Sequence, residues 1–184
     1  DVMMDKPVSY YAFEMLYWTG IREGELLALT PADFNFEKKT LRINKSYQRL
    51  EGEDVITDPK TPKSNRTIVM PDFLTIEMEN FIKSIYGIKM DDRIFTISKS
   101  YLHHEMDRGA KLAGVKRIRI HGLRHSHISL LINLGFSALA IGERVGHEAV
   151  DITYQYAHLF PTVQTDMEAQ LETERETLVN VRKE

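Results

Sequence analysis

Three features of the sequence predict a mainly α-helical fold with a small antiparallel β-sheet, the α+β class. Apolar residues recur at three- and four-residue spacing over most of the chain. A short region near residues 40–70 alternates apolar and polar residues instead. Glycine or proline stands where most of the helical stretches stop. At 184 residues, 42% hydrophobic and 28% charged, the chain is long enough for one domain with its own core. That composition argues against disordered, collagen-like and coiled-coil chains.

The first helix is expected over 7–19. Pro7 suits its first turn, where no N–H is needed, and Gly20 suits its stop. A second runs from about Arg22 to Leu29 and ends at Thr30-Pro31, because the residue before a proline is pushed out of helical geometry. Residues 40–46 read as a strand with Leu41 and Ile43 on one face. Residues 53–57 and 66–70 read as two more, with the polar turn segment 58–65 between them. After Asp72, Phe73, Ile76, Phe81 and Ile85 recur at helical spacing before Gly87. Further helices are expected over 99–113, 122–134, 137–145 and 151–158, the first two stopped by Gly114 and Gly135. Pro161 breaks the pattern. The tail, 162–184, reads as one more helix, with Met167, Leu171, Leu178 and Val181 on one stripe and acidic residues over much of the remainder.

The net charge of −3 at first disfavours a nucleic-acid partner, but the charge is unevenly spread. Residues 1–40 carry 4 basic and 7 acidic side chains, residues 41–127 carry 16 and 11, and residues 128–184 carry 4 and 9. A basic middle is compatible with phosphate contact, because local potential matters more than the total. On charge alone a solvated surface is the better reading. The absence of cysteine excludes disulfides, thiolate metal sites and a cysteine nucleophile. No apolar run is long enough to span a membrane and no signal peptide is visible. The chain opens on Asp1, and a fragment of a longer protein is expected.

Seven histidines raise the question of metal. His121 and His125 are spaced to share a helix face, but no zincin-type glutamate follows His121 and no third ligand is evident, so capping or core histidines are favoured and no metal or cofactor is expected. Walker, dinucleotide and nucleophile-elbow patterns are absent. What remains is a scattered set of Arg, Lys, His and Tyr, a combination that suits metal-independent phosphoryl transfer. Guanidinium forks can hold non-bridging oxygens, a lysine can protonate a leaving alkoxide, and a tyrosine hydroxyl can attack phosphorus.

Several short segments carry a resemblance. Thr19-Gly20-Ile21-Arg22-Glu23-Gly24-Glu25-Leu26-Leu27-Ala28-Leu29 resembles the first arginine box of the tyrosine recombinases. Asp58-Pro59-Lys60-Thr61 resembles their β-hairpin lysine turn, and His121-Gly122-Leu123-Arg124-His125 their His-x-x-Arg box. Val145-Gly146-His147 resembles their third histidine segment, and Thr153-Tyr154-Gln155-Tyr156-Ala157-His158 their tyrosine segment. Each box is weak alone. Their order over about residues 8–160, with His147 nine positions before Tyr156, makes the set specific. The wording is most similar to integrases of phages and conjugative transposons.

The resemblance implies the tyrosine recombinase catalytic-domain fold over 1–160 and a tail, 161–184, that contacts a neighbouring protomer. It also implies that the N-terminal DNA-binding domains of the family are absent from this fragment. The implied activity is that of an integrase, cutting and rejoining DNA through a 3′-phosphotyrosyl intermediate without ATP or metal. By resemblance, Arg22 and Arg124 bind the phosphate, Lys60 is the general acid with Lys63 as runner-up, and His121 accepts the proton of the nucleophile. His147 donates to the phosphate and Tyr156 attacks it. Glu25 is expected to orient a basic neighbour. His125 and His127 are expected to be structural. Tyr154 competes with Tyr156, but residues two apart on a helix point roughly 200° apart, so both cannot face one phosphate, and the spacing from His147 selects Tyr156. Implied partners are double-stranded DNA and three further copies of the chain on that DNA, with a monomer when DNA is absent, in the bacterial cytoplasm. A type IB topoisomerase, a DNA-binding module without catalysis and a helical metal-binding protein are the rival readings.

Overall fold

A computed structural model describes residues 3–59, 62–147 and 149–159. Helix α1 (Pro7–Thr19) has proline in its first turn and stops at Gly20, whose φ of +66° is left-handed. Glycine is needed there twice over. A side chain would be strained at that φ, and a Cβ would stand 2.5 Å from the His127 ring. Helix α2 (Glu23–Ala28) follows, and a 3-10 turn at Pro31–Asp33 ends it where Thr30-Pro31 predicts.

Five short strands come next: β1 (Phe34–Asn35), β2 (Thr40–Ile43), β3 (Ser46–Leu50), β4 (Glu53–Thr57) and β5 (Arg66–Val69). They form a three-stranded antiparallel sheet in the order β1-β2-β5 and a separate β3-β4 hairpin. Leu41 pairs with Ile68 and Ile43 with Arg66, so one face of β2 and β5 carries the buried side chains, as a period of two requires. The expected strand over 40–46 is therefore split, since β2 stops at Ile43 and Ser46 opens β3. The two later strands are where the sequence puts them, but they do not pair with each other. β4 folds back on β3 through Glu51-Gly52, both at positive φ, which is how a two-residue hairpin turn matches strand twist. The segment 58–65 thus crosses from the hairpin to the sheet, and Lys60 and Thr61 within it lie outside the described residues.

Helix α3 (Asp72–Ser84) buries Leu74, Thr75, Met78, Phe81 and Ile82. The expected stripe is met in its second half, where Phe81 is buried and Ile85 packs against the core. Phe73 and Ile76 are 42% and 59% exposed, while Phe81 stacks on Tyr11 of α1 at 4.4 Å on the inward face. Helix α4 (Lys99–Ala113) is capped by the Ser98 hydroxyl, which accepts from the Tyr101 N–H, and stops at Gly114. Helices α5 (Ile120–Asn133), α6 (Ala138–Val145) and α7 (Ala149–Tyr156) complete the described fold, with a 3-10 turn at Ala157–Leu159. α5 and α7 each begin two residues earlier than expected, so His121 lies inside the first turn of α5 and not before it. The expected tail helix at 162–184 lies outside the described residues.

The apolar side chains form two cores. The larger joins α1, α2, strands β1, β2, β3 and β5, α3, α4 and the start of α5. The smaller consists of Ile128, Ile132, Ile141, Val145, Ile152 and Tyr156, from α5, α6 and α7. Each such side chain contributes about 1.5–3 kcal/mol by leaving water, so α7 is held chiefly by this second core. The two cores meet where α1 packs on α5 and β5 on α6. Polar and charged side chains collect at that seam.

Candidate active site

Arg22 is the residue before the first turn of α2, and Glu25 lies three residues on. The Glu25 carboxylate accepts from the Arg22 backbone N–H at 2.8 Å and from the Arg22 Nη1 at 2.8 Å. It also accepts from both terminal nitrogens of Arg66, at 3.2 and 3.0 Å. Burial pushes the Glu25 carboxyl up, but the hydrogen bonds and charges of Arg66 and Arg22 outweigh that and hold it below the usual carboxylate range. One carboxylate therefore fixes two guanidiniums from distant parts of the chain. Arg66 is completed by two carbonyls, Ser64 O at 3.0 Å and Arg144 O at 2.8 Å.

Arg124 is 2% exposed, and its guanidinium spans the seam. It donates to the Gly20 carbonyl at 2.5 Å and to the Val145 carbonyl at 2.6 Å. Arg22 donates from Nη2 to the next carbonyl, Gly146 O, at 3.2 Å. Two arginines 102 positions apart thus converge on the two residues that precede His147. The turn there is built by Gly146, at φ +71°. The N–H groups of Gly146 and His147 both return to Gly142 O, at 2.8 and 3.0 Å, which stops α6 and sets the direction of His147. His147 lines a cleft of about 480 Å³ together with Lys63, Arg66 and Glu143.

The third part of the site lies along α5. The rings of His121 and His125 stand perpendicular, with centroids 4.8 Å apart. Nδ1 of His125 is hydrogen-bonded to the hydroxyl of Tyr156. Tyr156 is 5% exposed and packed into the second core, whereas Tyr154 is 82% exposed on the opposite side of α7. Burial raises the Tyr156 phenol above its ordinary value, partly offset by the charge of Arg124.

Four arginines, Arg22, Arg66, Arg124 and Arg144, meet at this seam with Glu25 as the carboxylate that pairs with the first and second. The surplus positive charge is visible in the neighbours. Burial, then the charge of Arg22, push the Arg124 guanidinium down to about 9, still protonated at neutral pH. Burial, then Arg124 and Arg22, push His147 down to about 4. His121 is lowered by burial, then by His125, Arg124 and Arg22. Nε of Arg124 and Nδ1 of His147 are buried with no hydrogen-bond partner among the described residues. An unsatisfied guanidinium N–H, beside an imidazole that can turn a donor to it, in a region of surplus positive charge is what an anion would complete. Among the described residues no group of three His, Asp or Glu side chains is placed to hold a metal ion. None of the described helices is long and apolar enough to cross a membrane.

The model of the phage integrase family matches residues 3–162. This chain belongs to the phage integrase family. It is 31% identical over 174 residues to the ICEBs1 integrase of Bacillus subtilis (strain 168), an alignment that covers 87% of this chain and 47% of the relative. It is also 31% identical over 179 residues to the integrase of Staphylococcus phage L54a, covering 88% and 51%. The chain therefore spans about half the length of the curated relatives it matches. Among solved structures, the Tn1549 transposon integrase in complex with circular intermediate DNA superposes with a TM-score of 0.71 at 21% identity, covering 95% of this chain and 65% of that one. A XerA recombinase superposes with a TM-score of 0.66 at 20% identity, covering 92% and 58%. The fold is thus that of the tyrosine recombinase catalytic domains.

In this integrase-family chain, Arg22, Glu25, Arg124 and His147 come together at one seam, and His121 and Tyr156 adjoin each other through His125. Lys60 lies outside the described residues, while Lys63 lines the cleft. Three participants go beyond the sequence reading. Arg66 and Arg144 look like ordinary charged residues in a basic stretch and an amphipathic helix. His125, expected to be structural, holds the Tyr156 hydroxyl. Its spacing from His121 was the available signal. His127 matches its structural expectation, since Arg144 Nε donates to its Nε2 at 3.1 Å and burial, then Arg144, push it down to about 4.

Proposed function

We propose that this chain is the catalytic domain of an integrase, a site-specific DNA recombinase that exchanges strands through a phosphotyrosyl intermediate. The observation that carries the reading is the convergence of Arg22 and Arg124 on the adjacent carbonyls of Gly146 and Val145, beside His147. A phosphodiester seated there meets two guanidinium groups whose remaining N–H donors can hold its non-bridging oxygens. Their charge matches the charge that grows on those oxygens in the transition state. His147 adds a neutral donor. Tyr156 attacks phosphorus and forms the 3′-phosphotyrosyl bond. The 5′-oxygen leaves with a proton, which the family resemblance assigns to Lys60, with Lys63 as the alternative. The freed 5′-hydroxyl of a partner strand then attacks the phosphotyrosine and releases Tyr156. One phosphodiester is exchanged for another, so the cycle needs no nucleotide and no metal.

The partner in this reading is double-stranded DNA, bound by residues 1–160 in the bacterial cytoplasm and clamped in the whole protein by N-terminal domains. The tail, 161–184, docks on a neighbouring copy within a DNA-bound tetramer, and the free chain is a monomer. Leu134, Phe136, Leu139 and Val150 give the surface around α6 the exposed apolar side chains that such a tail would cover. Truncation after Phe160 should abolish the tetramer on DNA, and an unchanged assembly by analytical ultracentrifugation would count against the docking.

The test of the chemistry uses a library of nicked suicide duplexes with a randomised core. Covalent adducts that survive detergent are recovered and sequenced, and the selected sequence serves all later assays. The wild-type chain should form the adduct, Tyr154→Phe should form it comparably, and Tyr156→Phe should form none. Adduct from Tyr156→Phe would disprove the assignment of the nucleophile.

A further inference from the structure

We propose that His125, and not His121, accepts the proton of the Tyr156 phenol. The inference rests on the reading of the chain as a strand-cutting integrase and adds a catalytic residue to it. Its basis is position. Along α5 successive side chains are turned by about 100°. Arg124 is directed at the carbonyls of Gly20 and Val145, and His125, the next residue, is turned toward α7. There its Nδ1 meets the Tyr156 hydroxyl, with ring centroids 5.9 Å apart and planes tilted by 46°. Among the described residues no other group is hydrogen-bonded to that oxygen. His121 contacts the edge of this pair through the His125 ring and does not hydrogen-bond to the phenol.

Tyr156 is fixed in a small apolar core, so its hydroxyl cannot swing to find water or another base without breaking that packing. A phenol raised by burial needs an acceptor at hydrogen-bond distance when it attacks. His125 supplies it from the tautomer with its proton on Nε2 and a lone pair on Nδ1. The O–H bond breaks and the proton moves to Nδ1, leaving an imidazolium beside a phenolate. The phenolate electron pair forms the O–P bond. The bond from phosphorus to the 5′-oxygen breaks with its pair on that oxygen, which takes a proton from the general acid, a lysine ammonium in this reading. Arg124, close enough to lower the Tyr156 phenol, favours the phenolate as it forms.

The test compares His125→Ala, His125→Asn and His121→Asn in the 184-residue chain on the selected suicide duplex. Two substrates are used, one with an ordinary scissile phosphate and one with sulfur in place of the bridging 5′-oxygen. The thiolate leaves without a proton, so the sulfur substrate rescues defects on the leaving-group side and not those on the nucleophile side. Both His125 variants should form adduct about 100-fold more slowly on both substrates, while thermal melts confirm folding. Asparagine can hold a hydrogen bond in the Nδ1 position but takes up no proton, so its loss should match that of alanine. His121→Asn should retain more activity than His125→Asn. Wild-type rates in His125→Asn, full rescue by sulfur, or a larger loss in His121→Asn would each overturn the proposal. A second measurement needs no DNA. The ¹⁵N shift of His125 Nδ1 should move on Tyr156→Phe, and an unchanged shift would show that the hydrogen bond does not exist. No adduct from the wild-type chain on any library member would instead refute the reading of the whole site.

Discussion

Replacing Glu25 with alanine tests whether one carboxylate holds the arginines in place. The Glu25 and Arg66 side chains are 5% and 6% exposed, so water screens their ion pair little. Removing the carboxylate leaves a buried guanidinium with one unpaired nitrogen, while its bonds to Ser64 O and Arg144 O survive. Breaking one side of a buried pair costs about 3–5 kcal/mol, and the two surviving bonds place this case near the lower end. Arg22, more exposed at 35%, adds less than about 1 kcal/mol. A loss of about 3 kcal/mol corresponds to a fall in Tm of roughly 6–12 °C for a chain of this size. Circular dichroism melts at neutral pH measure it. The pH dependence supplies a second check. The Glu25 carboxyl is lowered in the fold, so its stabilisation is complete above the ordinary carboxylate value and is lost as pH falls through the folded one. The gap between wild type and Glu25→Gln should therefore narrow in acid. A Glu25→Ala loss under about 1 kcal/mol, or a gap that stays constant into acid, would refute the reasoning.

Arg124→Lys should cost about 1.5–3 kcal/mol, because one ammonium cannot reach both Gly20 O and Val145 O and a charged hydrogen bond is worth that much. Adduct formation should fall on the order of 10²-fold or more, and near-normal adduct formation by this variant would remove Arg124 from the chemistry. His127, 3% exposed and pushed down to about 4, is neutral in the fold. Its contribution is full above about pH 6.5 and is lost as pH falls toward the folded value. Denaturant titrations should therefore show roughly 2 kcal/mol less stability at pH 4.5 than at pH 7 from this residue, and an equal slope in His127→Gln would contradict it.

The helices were legible because their limits are local. Pro7 and Gly20 bound α1, Ser98 and Gly114 bound α4, and each residue acts on its own turn. Strand pairing was less legible, because β2 finds its partner in β5, which is 26 positions further on, while β3 and β4 close on each other through Glu51-Gly52. The α3 stripe is half legible: Phe81 and Ile85 face the core as their spacing predicts, whereas Phe73 and Ile76 do not. The partners of its inward face lie far away in sequence, Tyr11 among them. At the site, Arg22, Arg124 and His147 were legible as boxes, and Glu25 was correctly given a basic neighbour, though Arg66 shares it equally. Arg66 and Arg144 carried no local signal, since their partners are backbone carbonyls and a carboxylate that only the fold brings near.

The placement of these residues also explains why one helix serves the whole site. α5 presents Arg124 to the seam, His127 to Arg144 beneath Gly20, His125 to Tyr156 and Ile128 to the second core. The helix that bears the Tyr156 phenol, α7, packs on α6 and is tied to α5 through that core and the His125 bond. The arginines are tied to α5 through Gly20 and Val145. The distance between the Tyr156 hydroxyl and the arginine cluster is therefore set along one element of 14 residues. A core helix that interior packing would otherwise fill with aliphatic side chains carries Arg124, His125 and His127 in four residues. The desolvation of those groups, seen in the lowered Arg124 and His127, is a cost that folding alone gives no reason to bear.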